Sequence, residues 1–301
     1  MTGAGTLVVV AALWPAVAVW PAVAPGSPDS PPPGPASALQ TLAAPAGGVV
    51  GFAAVDLASG QWIGLRVDHP FPMQSVFKLP VALEVLHAVD EERLALDRMV
   101  DLRREDARDG AMQTLQFPSQ RTVRQLFQAM LIQSDNAATD KLLGLIGGAA
   151  AVDARVRALG VTGISVRYSE LEMTTRNTDN TTTPRAMLQL LRKIADGQAG
   201  LSRESARLLD DTLIQVVTGP NRIKGALPPG TVVAHKTGTS RTTDGITDAT
   251  NDVGLVTLPD GRRIAVAAFV HASPADLATR EAVIAALARA AYERYVKMVG
   301  P

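Results

Sequence analysis

Ser75 and Lys78 stand three positions apart, at the start of an apolar run with helical spacing. An α-helix turns once in about 3.6 residues, so the two side chains project from nearly the same face and can meet. A serine hydroxyl is a poor nucleophile until a base takes its proton, and an amine whose pKa is lowered by desolvation can serve. At a helix start the Ser75 N–H also has no intrahelical partner and is free to donate to an oxyanion. Alone the pair decides little, because about one Ser-x-x-Lys arises by chance in a chain of this length. An N-cap serine followed by a solvated lysine fits it equally well. Two triplets add weight: Ser134-Asp135-Asn136 between two helical patterns, and Lys236-Thr237-Gly238 at the end of an apolar run. Separately these suit a helix start and a strand end. All three in one order point to a serine nucleophile surrounded by amines and hydroxyls.

Such residues need elements to hold them. Residues 49–56 and 61–67 predict a hairpin around Ala58-Ser59-Gly60. Residues 75–89 predict a helix with Leu79, Leu83 and Leu86 on one stripe, whereas 90–109, dense in charge of both signs, reads as a solvated segment. Helices are predicted over 123–132, 136–146, 184–194 and 203–217. Strands are predicted over 230–236, 252–258 and 262–270, with a turn at Pro259-Asp260-Gly261, before a closing helix over 275–299. Late strands without intervening helices call for an antiparallel sheet, which the opening hairpin completes. The expected fold class is α+β: an antiparallel β-sheet flanked by helices plus an all-helical subdomain, with the site in the cleft between them. The expected division is an export signal and Pro-rich linker over 1–38 and one domain over 39–301. Its α/β part spans 39–68 and 225–301, and its helical part spans 69–224.

Bulk composition removes other classes of function. The 301 residues carry 29 Lys plus Arg against 29 Asp plus Glu, so net charge recruits neither nucleic acid nor an anionic membrane. The absence of cysteine excludes thiolate catalysis, disulfides and Cys-based metal sites. His69, His87, His235 and His271 are scattered and lack the spacing of a zinc hydrolase; His235 reads as a packed strand residue. The apolar run from Leu7 to Ala24, broken by Pro15 and Pro21, reads as the core of an export signal, with a tethering signal anchor as the alternative. Ala36 and Ala38 offer a cleavage site after Ala38, and Ala22 and Ala24 an earlier one. Residues 25–35, rich in Pro, Ser and Gly, read as a linker.

With its three motifs the chain resembles the class A serine β-lactamases, whose set of short motifs these are. The similarity extends to Phe71-Pro72-Met73-Gln74-Ser75-Val76-Phe77-Lys78, to Val233-Ala234-His235-Lys236-Thr237-Gly238-Thr239-Ser240 and to Ala249-Thr250-Asn251-Asp252-Val253-Gly254. These stretches resemble a subgroup that includes extended-spectrum cephalosporin-hydrolysing members, over residues 39–299. The resemblance implies hydrolysis of the β-lactam amide through a Ser75 acyl-enzyme, and with it antibiotic resistance. It implies a small-molecule substrate, no metal or organic cofactor, no nucleic-acid partner and a monomer. The protein would be periplasmic or secreted, without stable membrane association once the signal is removed.

The resemblance also assigns roles. Ser134 relays a proton to the leaving nitrogen, and Asn136 binds the substrate's side-chain amide. Lys236, Thr237 and Arg222 take the substrate carboxylate, Arg222 by a paired hydrogen bond. The N–H groups of Ser75 and Thr239 form the oxyanion hole. In Ser169-Glu170-Leu171-Glu172-Met173-Thr174, a glutamate on the omega loop would activate the hydrolytic water; Glu170 is the best match and Glu172 the competitor. Thr174 stands where the family usually has Asn, and Leu171 where it has Pro. The loop's closing ion pair would join Arg167 to Asp179, with Asn180 fitting the same slot. Lys78, or Glu170 acting through water, is the acylation base. The alternatives are a penicillin-binding DD-peptidase, which would lack a deacylating carboxylate, and a non-hydrolytic β-lactam-binding module.

Overall fold

A computed structural model describes residues 35–108 and 115–298. The apolar run at 7–24 and nearly all of the linker lie outside them. The sheet comprises strands β1 (Val49–Asp56), β2 (Trp62–Leu65), β3 (Val233–Thr239), β4 (Thr250–Thr257) and β5 (Arg263–His271). They lie in the order β2-β1-β5-β4-β3, every neighbour antiparallel. Asp56 makes the first hairpin turn: its carboxylate accepts from Ala58 N at 3.0 Å and Ser59 Oγ at 3.0 Å, while Gly60 takes the left-handed φ of 71°.

Both faces of the sheet are buried, and strict alternation divides its residues between two cores. Ala53, Val55, Ala265, Ala267 and Phe269 face the helical middle of the chain. Phe52, Ala54, Ile264, Val266, Ala268 and Val270 face the terminal helices. A strand buried on both sides reads as a continuous apolar run rather than an alternating one, which is how β1 and β5 look in the sequence.

The helices are α1 (Pro35–Ala43), α2 (Lys78–Asp90), α3 (Val123–Ile132), α4 (Asn136–Ile146), α5 (Gly148–Ala158), α6 (Glu170–Arg176), α7 (Pro184–Ala195), α8 (Arg203–Ile214) and α9 (Leu277–Lys297). Helices α1 and α9 cover one face of the sheet, and α7 packs on the other. The cleavage position expected after Ala38 falls within α1, which buries Leu39 and Ala43. Helix α2 is the centre of the helical part. Ten of its residues, Lys78 and Glu84 included, are buried among α3, α4, α5 and α8, so the stripe of Leu79, Leu83 and Leu86 is one side of a helix covered all round.

Four differences from the sequence reading bear on the site. Ser75 is not inside an α-helix: it sits on a 3₁₀ turn, Gln74–Phe77, and α2 begins only at Lys78. Gln74 has a left-handed φ of 45°, which cannot continue a helix. The charged segment 90–109 contains a strand, Met99–Leu102, that pairs with Ser119–Thr122 and buries Leu102 while Asp101 stays exposed. Helices α5 and α6 were not expected. Finally, Thr181–Thr182 bridges Phe71–Pro72 on one side and Ile164–Ser165 on the other. This three-stranded patch pins both ends of segment 166–180 to the residues that lead into Ser75.

Candidate active site

The segment that carries Ser75 is held from two directions. From the sheet, Asn251 Nδ2 donates to Pro72 O at 2.8 Å and to Met73 O at 3.2 Å. From segment 166–180, Asn180 O accepts from Met73 N at 2.8 Å and Asp179 Oδ1 accepts from Gln74 N at 3.2 Å. Val76 N bonds Met73 O at 3.1 Å, so the Ser75 N–H between these donors is available to an oxyanion. Strand β3 closes on this turn through Gly238, where an added Cβ would meet Met73 O at 2.4 Å and Val76 N at 3.2 Å. Only glycine permits that approach.

Strand β3 is the edge of the sheet, and its register sets which groups face outward. Ser240 N donates to Ala249 O at 2.9 Å. Hydrogen-bonded and non-bonded pairs alternate along an antiparallel ladder, so Thr239, opposite Thr250, is a non-bonded pair whose N–H points off the free edge. Lys236, one pleat removed from Ala234, shares the face of Ala234 toward the helical part; His235 faces the opposite way. There it pairs with Asp252 at 2.9 Å, both side chains fully buried, as the packed strand residue the sequence suggests.

The triplet 134–136 divides its work by position. Asp135 is the N-cap of α4, accepting from Ala138 N at 2.8 Å. Ser134, before it, takes the left-handed φ of 62°. Lys78 Nζ, wholly buried, donates to Ser134 O at 2.6 Å, Ser134 Oγ at 3.3 Å and Asn136 Oδ1 at 2.7 Å, and stands 2.9 Å from Glu170 Oε1. Lys236 Nζ reaches the same Ser134 Oγ at 3.0 Å and Thr237 O at 2.9 Å. Two ammonium groups therefore meet on one hydroxyl. Burial, reinforced by the charge of Lys78, pushes the pKa of Lys236 well below the ordinary lysine value. Thr237 Oγ1 lies 2.5 Å from Thr218 Oγ1.

Glu170 and Glu172 part ways at the start of α6. Ser169 is the N-cap, and Glu172 Oε2 accepts from Ser169 N at 3.1 Å in a reciprocal capping box while its other oxygen pairs with Arg176 at 3.1 Å. Glu172 is thus turned to the helix terminus, whereas Glu170 is buried beside Lys78. The Glu170–Leu171 peptide is trans, and the N–H groups of Glu170 and Leu171 donate to the Asp140 carboxylate of α4 at 2.8 and 3.2 Å. Thr174 donates its hydroxyl to Glu170 O at 3.0 Å, within the helix.

Two expected arrangements differ. Arg167 and Asp179 form no ion pair. The Asn180 amide closes the loop instead, accepting from Arg167 N at 2.7 Å and Tyr168 N at 3.0 Å and donating to Tyr168 O at 2.9 Å. An uncharged amide satisfies three backbone groups there, leaving Asp179 to Gln74. Arg222 is not an open guanidinium. It is buried, with Nε on Glu281 at 3.0 Å, Nη1 on Gly238 O and Asn251 O at 3.1 and 2.9 Å, and Nη2 on Thr239 Oγ1 at 2.8 Å. Four of its five donors are occupied, so it reaches the cleft through the Thr239 hydroxyl. Sequence reasoning missed Asp140, Thr218 and the contact of Asp179 with Gln74; only the Ser169/Glu172 capping box, which fixes the start of α6, had a local signal.

A serine on a helix-start turn, two buried ammonium groups on a second serine and a buried carboxylate beside them define a serine acyl-transfer hydrolase. The family model described as the β-lactamase enzyme family matches residues 34–295. The chain is 40% identical over 235 residues to the extended-spectrum β-lactamase PER-1 of Pseudomonas aeruginosa, covering 75% of this chain and 76% of that protein. It is 34% identical over 255 residues to the β-lactamase VEB-1 of the same organism, covering 82% and 85%. A crystal structure of a β-lactamase from Chitinophaga pinensis superposes with a TM-score of 0.83 at 36% identity, covering 86% of this chain and 98% of that one. The TLA-3 extended-spectrum β-lactamase gives 0.80 at 32%, covering 86% and 99%. The chain belongs to the β-lactamase enzyme family, as a hydrolase of class A.

Proposed function

We propose that the chain opens β-lactam rings through an ester on Ser75 and releases the ring-opened acid with a water activated by Glu170, conferring β-lactam resistance. Ser75 Oγ attacks the lactam carbonyl, and the oxyanion takes hydrogen bonds from the N–H groups of Ser75 and Thr239. The proton of Ser75 passes to Lys78, or to Glu170 through a water. As the C–N bond breaks, Ser134 gives its proton to the ring nitrogen. Both lone pairs of Ser134 Oγ are engaged by Lys78 and Lys236, so its own hydrogen is free to point into the cleft. Lys236, with Thr237 and Thr239, supplies the positive and hydroxyl edge for the substrate carboxylate, and Arg222 acts by fixing Thr239. Asn136, held by Lys78, offers its amide to the substrate side chain.

The observation that carries hydrolysis rather than mere acylation is Glu170. Its buried carboxylate sits 2.9 Å from Lys78 Nζ, within the cluster that surrounds Ser134. A DD-peptidase or a non-hydrolytic binding module has no use for a carboxylate there. Among the described residues no helix is long and apolar enough to cross a membrane. The apolar run at 7–24 supports an exported protein, periplasmic or secreted. The test is to mix purified protein with a chromogenic cephalosporin and follow turnover and intact mass together. Steady turnover supports the reading, and a stable adduct without turnover refutes it.

A further inference from the structure

We infer that Asp179 is a positioning residue for the oxyanion site, acting through Gln74 to hold the Ser75 turn against strand β3; this rests on the roles proposed above for the Ser75 and Thr239 N–H groups. Asp179 grips Gln74 twice. Oδ1 accepts from the Gln74 N–H at 3.2 Å, and Oδ2 accepts from the Gln74 side-chain amide. Gln74 needs the support, because an L-residue held at φ 45° is unfavourable by roughly 1–2 kcal/mol. That backbone twist lies at the first residue of the 3₁₀ turn, immediately before Ser75, whose N–H has no backbone partner among the described residues.

Gln74 is the link between two halves of the site. On one side it is bonded to Asp179; on the other its Cβ lies 3.3 Å from where a Cβ on Gly238 would stand, one residue before Thr239. The turn's remaining restraint from the sheet is Asn251, which grips Pro72 O and Met73 O, upstream of Gln74. Without Asp179, Gln74 would lose both hydrogen bonds that favour its strained conformation. The spacing between the two oxyanion donors, one on the turn and one on β3, would then rest on packing and on the hydrogen bonds to Pro72 and Met73, upstream of Gln74. Burial, with the charge of Glu170 adding to it, pushes the Asp179 carboxyl up to about 7. The neutral acid keeps the grip, since its carbonyl oxygen still accepts from the backbone N–H and its hydroxyl can donate to a rotated Gln74 amide. Asparagine has the same capacity.

The experiment is pre-steady-state acylation by a chromogenic cephalosporin, resolved into initial affinity and acylation rate constant, with peptide mass mapping of the adduct. The full-length chain is compared with Asp179→Ala, Asp179→Asn and Gln74→Ala. Misplacing one of two oxyanion donors predicts acylation about tenfold to a hundredfold slower in Asp179→Ala, with initial affinity changed by less than about twofold. Asp179→Asn is expected to restore the rate to within about threefold of the parent. Gln74→Ala, which leaves the loop untouched and so keeps the test open if Asp179→Ala does not fold, is expected to be slower by about threefold to tenfold. Parent-like acylation in either alanine variant, or an asparagine variant as slow as Asp179→Ala, overturns the role of Asp179. A parent enzyme that turns over with no adduct on Ser75 removes instead the functional reading on which it rests.

Discussion

Lys78 Nζ stands 2.9 Å from Glu170 Oε1, and this contact joins the helix that follows the nucleophile turn to the helix that begins with the carboxylate. Lys78 can stand in for the carboxylate as base when the ester forms, whereas Glu170 is the one base proposed for hydrolysing it. Glu170→Ala is therefore expected to accumulate a covalent adduct on Ser75 and to turn over about 10²- to 10⁴-fold more slowly. Intact mass after mixing with substrate reads this directly. Parent-like turnover in that variant would mean the water is activated from elsewhere.

Asp140 fixes where Glu170 begins its helix, accepting from the Glu170 and Leu171 amides and pairing with Arg108 at 2.8 Å. Removing such a cap lowers stability by about 1–2 kcal/mol, a fall in Tm of about 2–4 °C per kcal/mol for a domain of 150–250 residues and somewhat less for one this size. Asp140→Ala is further expected to lengthen the life of the acyl-enzyme more than it slows its formation, because the displaced group is the carboxylate proposed for deacylation. Equal effects on both steps would show that Asp140 serves the fold alone.

How far the sequence carried these conclusions depends on whether the controlling contact is local. Helices α3, α4 and α7 start where the apolar spacing predicts, and the structure shows why: Thr122, Asp135 and Thr183, with Pro184 behind it, are N-caps that act over three residues. The motif serines and lysines could be picked out, since each lies in a short recognisable run. Helix α6 was hidden by its polar composition, although Ser169 and Glu172 form a capping box visible at i and i+3. What could not be read is set by distant partners. The open or buried state of Arg222 depends on Glu281, 59 positions later, and the hydrogen bonds that hold Gln74 ahead of α2 come from Asp179, 105 positions away.

Arg222 yields a stability prediction with an internal control. Its guanidinium neutralises the buried Glu281, so Arg222→Ala leaves an uncompensated carboxylate behind strand β3, at a cost of about 3–5 kcal/mol. Adding Glu281→Gln to the same chain removes the stranded charge and is expected to recover part of the lost Tm. Catalytic efficiency should stay low in the double variant, because the Thr239 hydroxyl has still lost its donor. A single variant as stable as the parent would contradict the buried pair.

Asp179 gives stability a dependence on pH whose sign can be worked out. Its carboxyl titrates at about 7 in the folded chain against about 4 when unfolded, so between those values the folded state holds a proton that the unfolded state has released. Where the folded state binds more protons, stability falls as pH rises. The contribution of Asp179 is complete below pH about 4, declines through the interval and is gone above about 7. Asp179→Asn cannot titrate, and every other ionisation is common to both chains apart from that of Glu170, which feels the Asp179 charge. Denaturant midpoints from pH 4 to 8 should therefore show the parent losing stability relative to Asp179→Asn as pH rises, with the difference levelling off above about 7. A difference that is flat across this range, or that slopes the other way, would place the Asp179 carboxyl in the ordinary range and its charge in contact with water.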